Sequence, residues 1–94
     1  MTGGLFMLYP LFTYEDGTEV TASKPDANGN ICLYVEKFDM DKDAFINATI
    51  ILPNATVKSS SGYSKEELDE MLSEYSELRE DIIGYIMDKV KKSA

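Results

Sequence analysis

Apolar residues in the last third of the chain recur every three or four positions, which is the pattern of an amphipathic helix. The helix is predicted over residues 63–92. Ser64 with Glu67 forms a capping box, and Tyr63 with Leu68 has the spacing of a hydrophobic staple, so the start of the helix is specified locally. The stripe that this helix must bury contains Leu68, Met71, Leu72, Tyr75, Leu78, Ile82, Tyr85, Ile86 and Val90.

The chain before the helix shows a period of two instead, which is typical of half-buried strands. Residues 31–38 and 44–52 carry the clearest alternation, and the dipeptide Asp16-Gly17, which is favoured in tight hairpins, separates two earlier strand-like segments. The core faces of the two clearest strands are expected to be Ile31, Leu33, Val35 and Ile46, Ala48, Ile50, Leu52.

Together these elements predict an α+β fold in one domain, residues 1–94. An antiparallel β-meander of about four strands occupies residues 5–58, after a flexible leader at residues 1–4. A linker at residues 59–62 joins it to the long C-terminal helix. The helix is expected to pack on one face of the sheet, because an apolar sheet face needs a second layer.

The other face of the sheet is expected to stay partly open and to present aromatic side chains. Tyr34 and Phe38 lie on it, together with Phe12 or Tyr14. Tyrosine and phenylalanine are enriched at protein interfaces, so this face is a candidate contact surface. The alternative is that these rings only cover the sheet or pack on the N-terminal leader.

The predicted helix is longer than the strands that would support it. At about 1.5 Å per residue it would run roughly 43 Å, whereas strands of seven or eight residues reach about 25 Å. Two outcomes stay open: a break near Gly84, or packing of the second half on another chain. The second outcome makes Tyr85, Ile86 and Val90 candidate self-association residues.

Composition narrows the classes of partner. Seventeen acidic against nine basic residues give a net charge of −8, which argues against direct binding to nucleic acid or to anionic membranes. A basic protein fits better. The single cysteine, Cys32, has apolar neighbours and is expected to be a small buried residue in a reducing cytoplasm. The apolar stretch at residues 5–12 is too short for a signal peptide or a membrane span.

Side chains with catalytic or metal-binding chemistry are scarce. The chain contains no histidine and one cysteine, so the commonest general base and the usual zinc ligands are missing. Asp39, Asp41 and Asp43 resemble the start of an EF-hand loop, but Ala44 replaces the turn glycine and Ile50 replaces the final glutamate. The sequence therefore predicts no cofactor, no metal and no enzymatic activity.

The helix carries repeated like charges that stability alone would not select. Three acidic pairs at i, i+4 would each cost roughly 0.2–0.5 kcal/mol. The row is either a solvated outer face or a ridge that meets a basic partner. On the second interpretation the partner-binding residues are Glu66, Glu70, Glu74, Glu77 and Asp81 on the helix, with Tyr34 and Phe38 on the sheet.

The first strands also resemble a known family. The matching residues are Tyr9-Pro10, Tyr14-Glu15-Asp16-Gly17 and Pro25-Asp26, which are similar to the opening hairpin of HicB-type antitoxins. In that family a helix should follow the second strand, whereas residues 31–38 of this chain are predicted as a strand. The resemblance implies a hairpin and no function.

These features of the sequence suggest three candidate functions. The first is a small acidic, non-enzymatic protein-binding module of the inhibitor, immunity or antitoxin type, whose carboxylates occupy a basic surface; a nuclease inhibited by a nucleic-acid mimic is one case. The second is a structural domain that forms a homodimer through the helix or a strand edge. The third is an enzyme using two carboxylates, which would require both of them in an apolar cleft.

Overall fold

The computed structural model describes residues 8–93 of the chain and shows an α+β fold. Its elements are β1 (Leu8–Thr13), β2 (Glu19–Ser23), β3 (Ile31–Asp39), β4 (Ala44–Leu52), β5 (Thr56–Ser61) and α1 (Lys65–Ser93). The sheet is an antiparallel meander in the order β1-β2-β3-β4-β5. This confirms the predicted fold class, with five strands in place of about four. The predicted leader and the first residues of the predicted first strand lie outside the described residues.

The last strand is longer than its composition suggests. β5 includes Ser59, Ser60 and Ser61, which the sequence assigned to a linker, and Ser61 pairs with Asn47 of β4. Serine has little intrinsic preference for strands. However, β4 extends far enough to offer backbone donors and acceptors along its outer side, and those groups need partners. Pairing along β4 therefore overrides local propensity.

The core lies between the sheet and the helix, as the alternation predicts. Inward residues of β3 and β4 are almost completely buried, and Tyr75, Ile82 and Ile86 of α1 cover them. β3 is a strand at the place where the HicB-type pattern has a helix. The buried sheet residues are Tyr9, Val20, Ala22, Ile31, Leu33, Val35, Ile46, Ala48, Ile50 and Leu52.

A β-bulge in β1 corrects the prediction that Phe12 or Tyr14 lies on the open face. Pro10 pairs with Thr21, but Phe12 pairs with Val20, so Leu11 is an extra residue in the ladder. Because side chains alternate along a strand, one extra residue moves everything after it to the opposite face. Phe12 and Tyr14 therefore lie on the helix side of the sheet.

The helix begins as predicted. The Glu67 backbone N–H donates to Ser64 Oγ at 3.1 Å, and the Ser64 N–H donates to Glu67 Oε1 at 2.9 Å. These reciprocal bonds are the capping box. They satisfy two of the backbone donors that a helix start leaves free.

The helix then runs without interruption through Gly84, so of the two alternatives left open by the sequence, a break near Gly84 does not occur. Ile82 and Ile86 are buried against the chain's own sheet. β3 and β4 have nine residues each and reach about 30 Å, while Leu68 and Ile86 are about 27 Å apart along the helix. The sheet therefore supports α1 as far as Ile86. Because Ile86 is fully buried within this chain, self-association through its side chain does not fit the structure.

Candidate functional site

A groove of about 500 Å³ runs between the loop that joins β1 to β2 and the first half of α1. We call it the acidic groove, because five carboxylates line it and lysine occurs there only once, at Lys37. Apolar atoms of Val35 and Met71 contribute to its lining. Its lining residues are Tyr14, Glu15, Asp16, Thr18, Val35, Lys37, Tyr63, Glu67, Glu70, Met71, Glu74 and Tyr75.

Local turn chemistry places Glu15 and Asp16 at one side of the groove. Gly17 N–H donates to the Tyr14 carbonyl at 3.0 Å, and Tyr14 N–H donates to the Thr18 carbonyl at 2.8 Å. The Thr18 N–H donates to Asp16 Oδ1 at 2.9 Å. Gly17 has a φ of +90°, a conformation that glycine adopts readily. The loop is therefore held in one shape by its own backbone.

Helical spacing places the other three carboxylates. Glu67, Glu70 and Glu74 are three and four residues apart, so they project from the same side of α1. Glu74 also accepts a hydrogen bond from the Tyr14 hydroxyl, with 3.0 Å from Tyr14 Oη to Glu74 Oε2. This contact joins the sheet side of the groove to the helix side.

Three tyrosines supply polar groups that stay neutral at physiological pH. The hydroxyls of Tyr14 and Tyr75 are 3.1 Å apart, and since Tyr14 donates to Glu74, Tyr75 is the donor to Tyr14. Burial raises the pKa of Tyr14, of Tyr63 and, by the largest amount, of Tyr75. The negative charge of the groove therefore comes from its carboxylates.

Two carboxylates of the groove, those of Asp16 and Glu67, are held in their ionised form. Hydrogen bonds from the Thr18 side chain and backbone hold the pKa of Asp16 below its usual value, with a smaller effect from Lys37. The Ser64 backbone N–H likewise lowers the pKa of Glu67. Lys37 Nζ lies 3.3 Å from Asp16 Oδ2, which raises the pKa of the lysine.

The structure brings together only part of the predicted acidic ridge. Glu70 and Glu74 line the acidic groove, whereas Glu66 and Glu77 are exposed and lie outside it. Asp81 borders a smaller and more apolar groove of about 320 Å³. That second groove is lined by Leu11, Phe12, Leu78, Asp81, Ile82 and Tyr85.

The predicted sheet residues lie elsewhere. Tyr34 and Phe38 are on the face turned away from the helix; Tyr34 is partly buried and Phe38 is 43% exposed. Of the predicted self-association residues, Tyr85 is 43% exposed and Val90 is partly buried against the core.

Sequence reasoning missed Glu15, Asp16 and Glu67 as members of the site. Asp16 was recognised only as a turn residue and Glu67 only as a cap. Their common groove depends on the loop after β1 meeting α1, a contact between residues about sixty positions apart. No local pattern encodes such a contact, although an acidic hairpin turn combined with an acidic first helical turn was a usable signal.

The arrangement offers hydrogen-bond acceptors and negative charge. Within residues 8–93 there is no group of three or more histidine, cysteine, aspartate or glutamate side chains that could hold a metal ion. Asp39, Asp41 and Asp43 belong to the β3–β4 turn, where Asp39 Oδ1 accepts the backbone N–H groups of Asp41 and Lys42. Lowered carboxyl pKa values at Asp16 and Glu67 are the opposite of what a general acid needs.

Comparison with family models, curated proteins and solved structures found no significant match to this chain. Within the described part of the chain, α1 lacks the apolar character that a membrane-crossing helix requires.

Proposed function

We propose that this chain is a small acidic, non-enzymatic protein-binding module that occupies a basic surface of a partner, as inhibitors, immunity proteins and antitoxins do. The observation that carries the proposal is the acidic groove, in which five carboxylates accompany one lysine. A cytoplasmic partner is part of this proposal, since the lone Cys32 suits a reducing compartment.

The lysines nearest the groove leave its charge largely uncompensated. Lys37 is paired with Asp16, Lys65 with Asp69 at 3.1 Å, and Lys42 donates to the Gly62 carbonyl. Such exposed pairs contribute little to stability. Their effect here is to leave Glu15, Glu70 and Glu74 without an ion-pair partner among the described residues. A lysine or arginine from another protein could pair with these carboxylates without displacing an existing ion pair.

Pre-organisation supports the same function. The groove is held by the turn around Gly17 on one side, by the capped start of α1 on the other and by the Tyr14–Glu74 bond between them. A partner therefore does not have to order Asp16, Glu67 or Glu74 on binding, which lowers the entropic cost of association. Complementary charge would also accelerate the encounter and make it sensitive to salt.

The test uses random-sequence peptides displayed on phage and selected against the whole chain. We expect the enriched peptides to carry lysine or arginine. Once synthesised, an enriched peptide should bind at least about fivefold more weakly to the double variant Glu70→Gln with Glu74→Gln. Binding should also weaken as ionic strength rises, since the Debye length falls from about 10 Å at 0.1 M to about 3 Å at 1 M.

A matched control distinguishes the effect of the acidic groove on binding from the effect of net negative charge. Glu77→Gln with Glu80→Gln removes the same charge from the same helix at exposed positions outside the groove. This control should keep the native affinity. Equal losses for both double variants would mean that only net charge matters, and neutral peptides with salt-independent binding would contradict the proposed function.

A second candidate function, homodimer assembly, has one observation in its favour. β5 is an edge strand with mostly exposed side chains, and it contains no proline, whereas the other edge strand, β1, carries Pro10; both edge strands have a bulge. Proline discourages edge-to-edge pairing, so β5 is the less protected of the two edges. A salt-resistant dimer in light scattering that is lost on Val57→Pro would favour assembly through β5.

A further inference from the structure

Three large apolar side chains are exposed at one end of the β3–β4 hairpin. Phe38 is 43% exposed, Phe45 75% and Met40 84%. Phe38 and Phe45 are directly opposite each other on the two strands, and their rings are 5.0 Å apart in an edge-on arrangement. We call Phe38, Met40 and Phe45 the hairpin anchor.

The fold does not account for this exposure. Neighbouring Ile46 and Val35 point to the other face and are buried in the core, so they hold the hairpin on the helix layer. An aromatic pair contributes about 0.5–1.5 kcal/mol beyond the area it buries, but most of the Phe45 ring remains in water. Clustered exposed apolar groups mark contact surfaces more often than scattered ones do.

The turn that carries Met40 is held in place. Asp39 Oδ1 accepts the N–H groups of Asp41 and Lys42 at 2.9 and 3.2 Å, and Asp43 N–H donates to the Met40 carbonyl at 3.3 Å. The Lys42 ammonium donates to the Gly62 carbonyl, which ties the turn to the connection between β5 and α1. The anchor is therefore presented on an ordered support, which favours binding.

The charges around the hairpin anchor indicate which class of partner would bind it. A depression of about 310 Å³ beside Phe38 and Phe45 is lined by Glu19, Glu36 and Lys37. Asp39 ends β3, and the adjoining turn contains Asp41 and Asp43 together with Lys42, whose ammonium donates to the Gly62 carbonyl. Lys37 is already paired with Asp16. Nucleic acid would be repelled, and a second copy would bring the same acids face to face. A protein surface with lysine and arginine around apolar residues is complementary.

We propose that Phe38, Met40 and Phe45 are the apolar anchor through which this chain docks on a basic protein, with Glu19, Glu36 and the turn aspartates contacting lysine and arginine around it. The inference rests on the proposed function and specifies a second contact for the same partner. Lys37 lines both the acidic groove and the depression beside the anchor, so the two surfaces adjoin. One partner can cover both.

The experiment uses the peptides selected against the native chain and measures their affinity for Phe45→Thr. Threonine is favoured in strands and should preserve the hairpin, which circular dichroism and thermal melting will verify. The matched control is Leu8→Thr, since Leu8 is 37% exposed on the same sheet face at the opposite end of the molecule. Interface anchors dominate binding energy, so Phe45→Thr should weaken binding at least about tenfold and Leu8→Thr should not.

Each of the other outcomes would contradict the proposed anchor and point to a different explanation. Undiminished binding to Phe45→Thr, combined with loss in the Glu70→Gln, Glu74→Gln variant, rejects the anchor and leaves the proposed function standing. Binding that neither variant changes rejects both. A native dimer in light scattering that Phe45→Thr dissociates would assign the anchor to a second copy of the chain. A lower melting temperature with unchanged affinity would show that the ring pair only stabilises the hairpin.

Discussion

The hydroxyl of Tyr14 lies 3.1 Å from the hydroxyl of Tyr75, which joins the loop after β1 to the middle of α1. Tyr75 is almost fully buried. The Tyr14 hydroxyl accepts from Tyr75 and donates its own proton to Glu74. The relationship couples the fold to the acidic groove, because the same contact that packs the helix also positions one of its carboxylates.

Removing the Tyr75 hydroxyl should therefore destabilise the chain. Tyr75→Phe is expected to lower the free energy of unfolding by about 0.5–1.5 kcal/mol, the net value of one internal hydrogen bond. Chemical denaturation measures this. Tyr85→Phe, at a site that is 43% exposed, is the control and should change stability by less than about 0.5 kcal/mol. Equal stability of all three proteins would mean that the hydroxyl pair contributes nothing.

The burial of the Tyr75 hydroxyl should also make the stability of the fold fall at alkaline pH. The pKa of Tyr75 is raised above its ordinary value of 10.0 because burial disfavours the phenolate. Above about pH 10 the unfolded chain releases this proton while the folded chain retains it, so stability is complete below that pH and falls as pH rises. Denaturation at a series of alkaline pH values should give a shallower decline for Tyr75→Phe. Identical slopes would contradict the burial of the phenol.

The capping box could be predicted because its residues are neighbours in sequence. Ser64→Ala should cost about 1 kcal/mol of stability, since it leaves a backbone donor of the first turn without its acceptor. Ser73→Ala is the control: Ser73 is exposed within the helix, and alanine there should be neutral or slightly stabilising. Thermal melting distinguishes the two, and a loss at Ser73 as large as that at Ser64 would refute the cap.

Features that depend on how strands pair with each other were harder to predict from the sequence. The alternation of β3 and β4 gave their buried faces directly, because both strands are regular. In β1 the single extra residue, Leu11, reversed the faces of Phe12 and Tyr14, and no composition signal identifies a bulge whose position is decided by the neighbouring strand. Burial of Ile86 likewise depends on how α1 lies across β3 and β4, which the alternation within each strand does not specify.

Two glycines should respond to alanine in opposite directions. Gly62 has a φ of +95°, and a side-chain carbon there would collide with Ile46, so Gly62→Ala should cost roughly 1–3 kcal/mol. Gly84 lies inside α1 with no atom close enough to obstruct a methyl group, so Gly84→Ala should add about 1 kcal/mol. Urea denaturation of both variants checks the signs. Stabilisation by Gly62→Ala would contradict the tight junction between β5 and α1.

We propose that this chain acts through one end of the molecule, where the acidic groove and the hairpin anchor adjoin. The most direct test is amide chemical-shift mapping of the isotopically labelled chain as an enriched basic peptide is added. The largest shifts are expected at residues 14–19, 36–45 and 67–75. Shifts concentrated along β5 or in the last turns of α1, with those three segments unchanged, would contradict it.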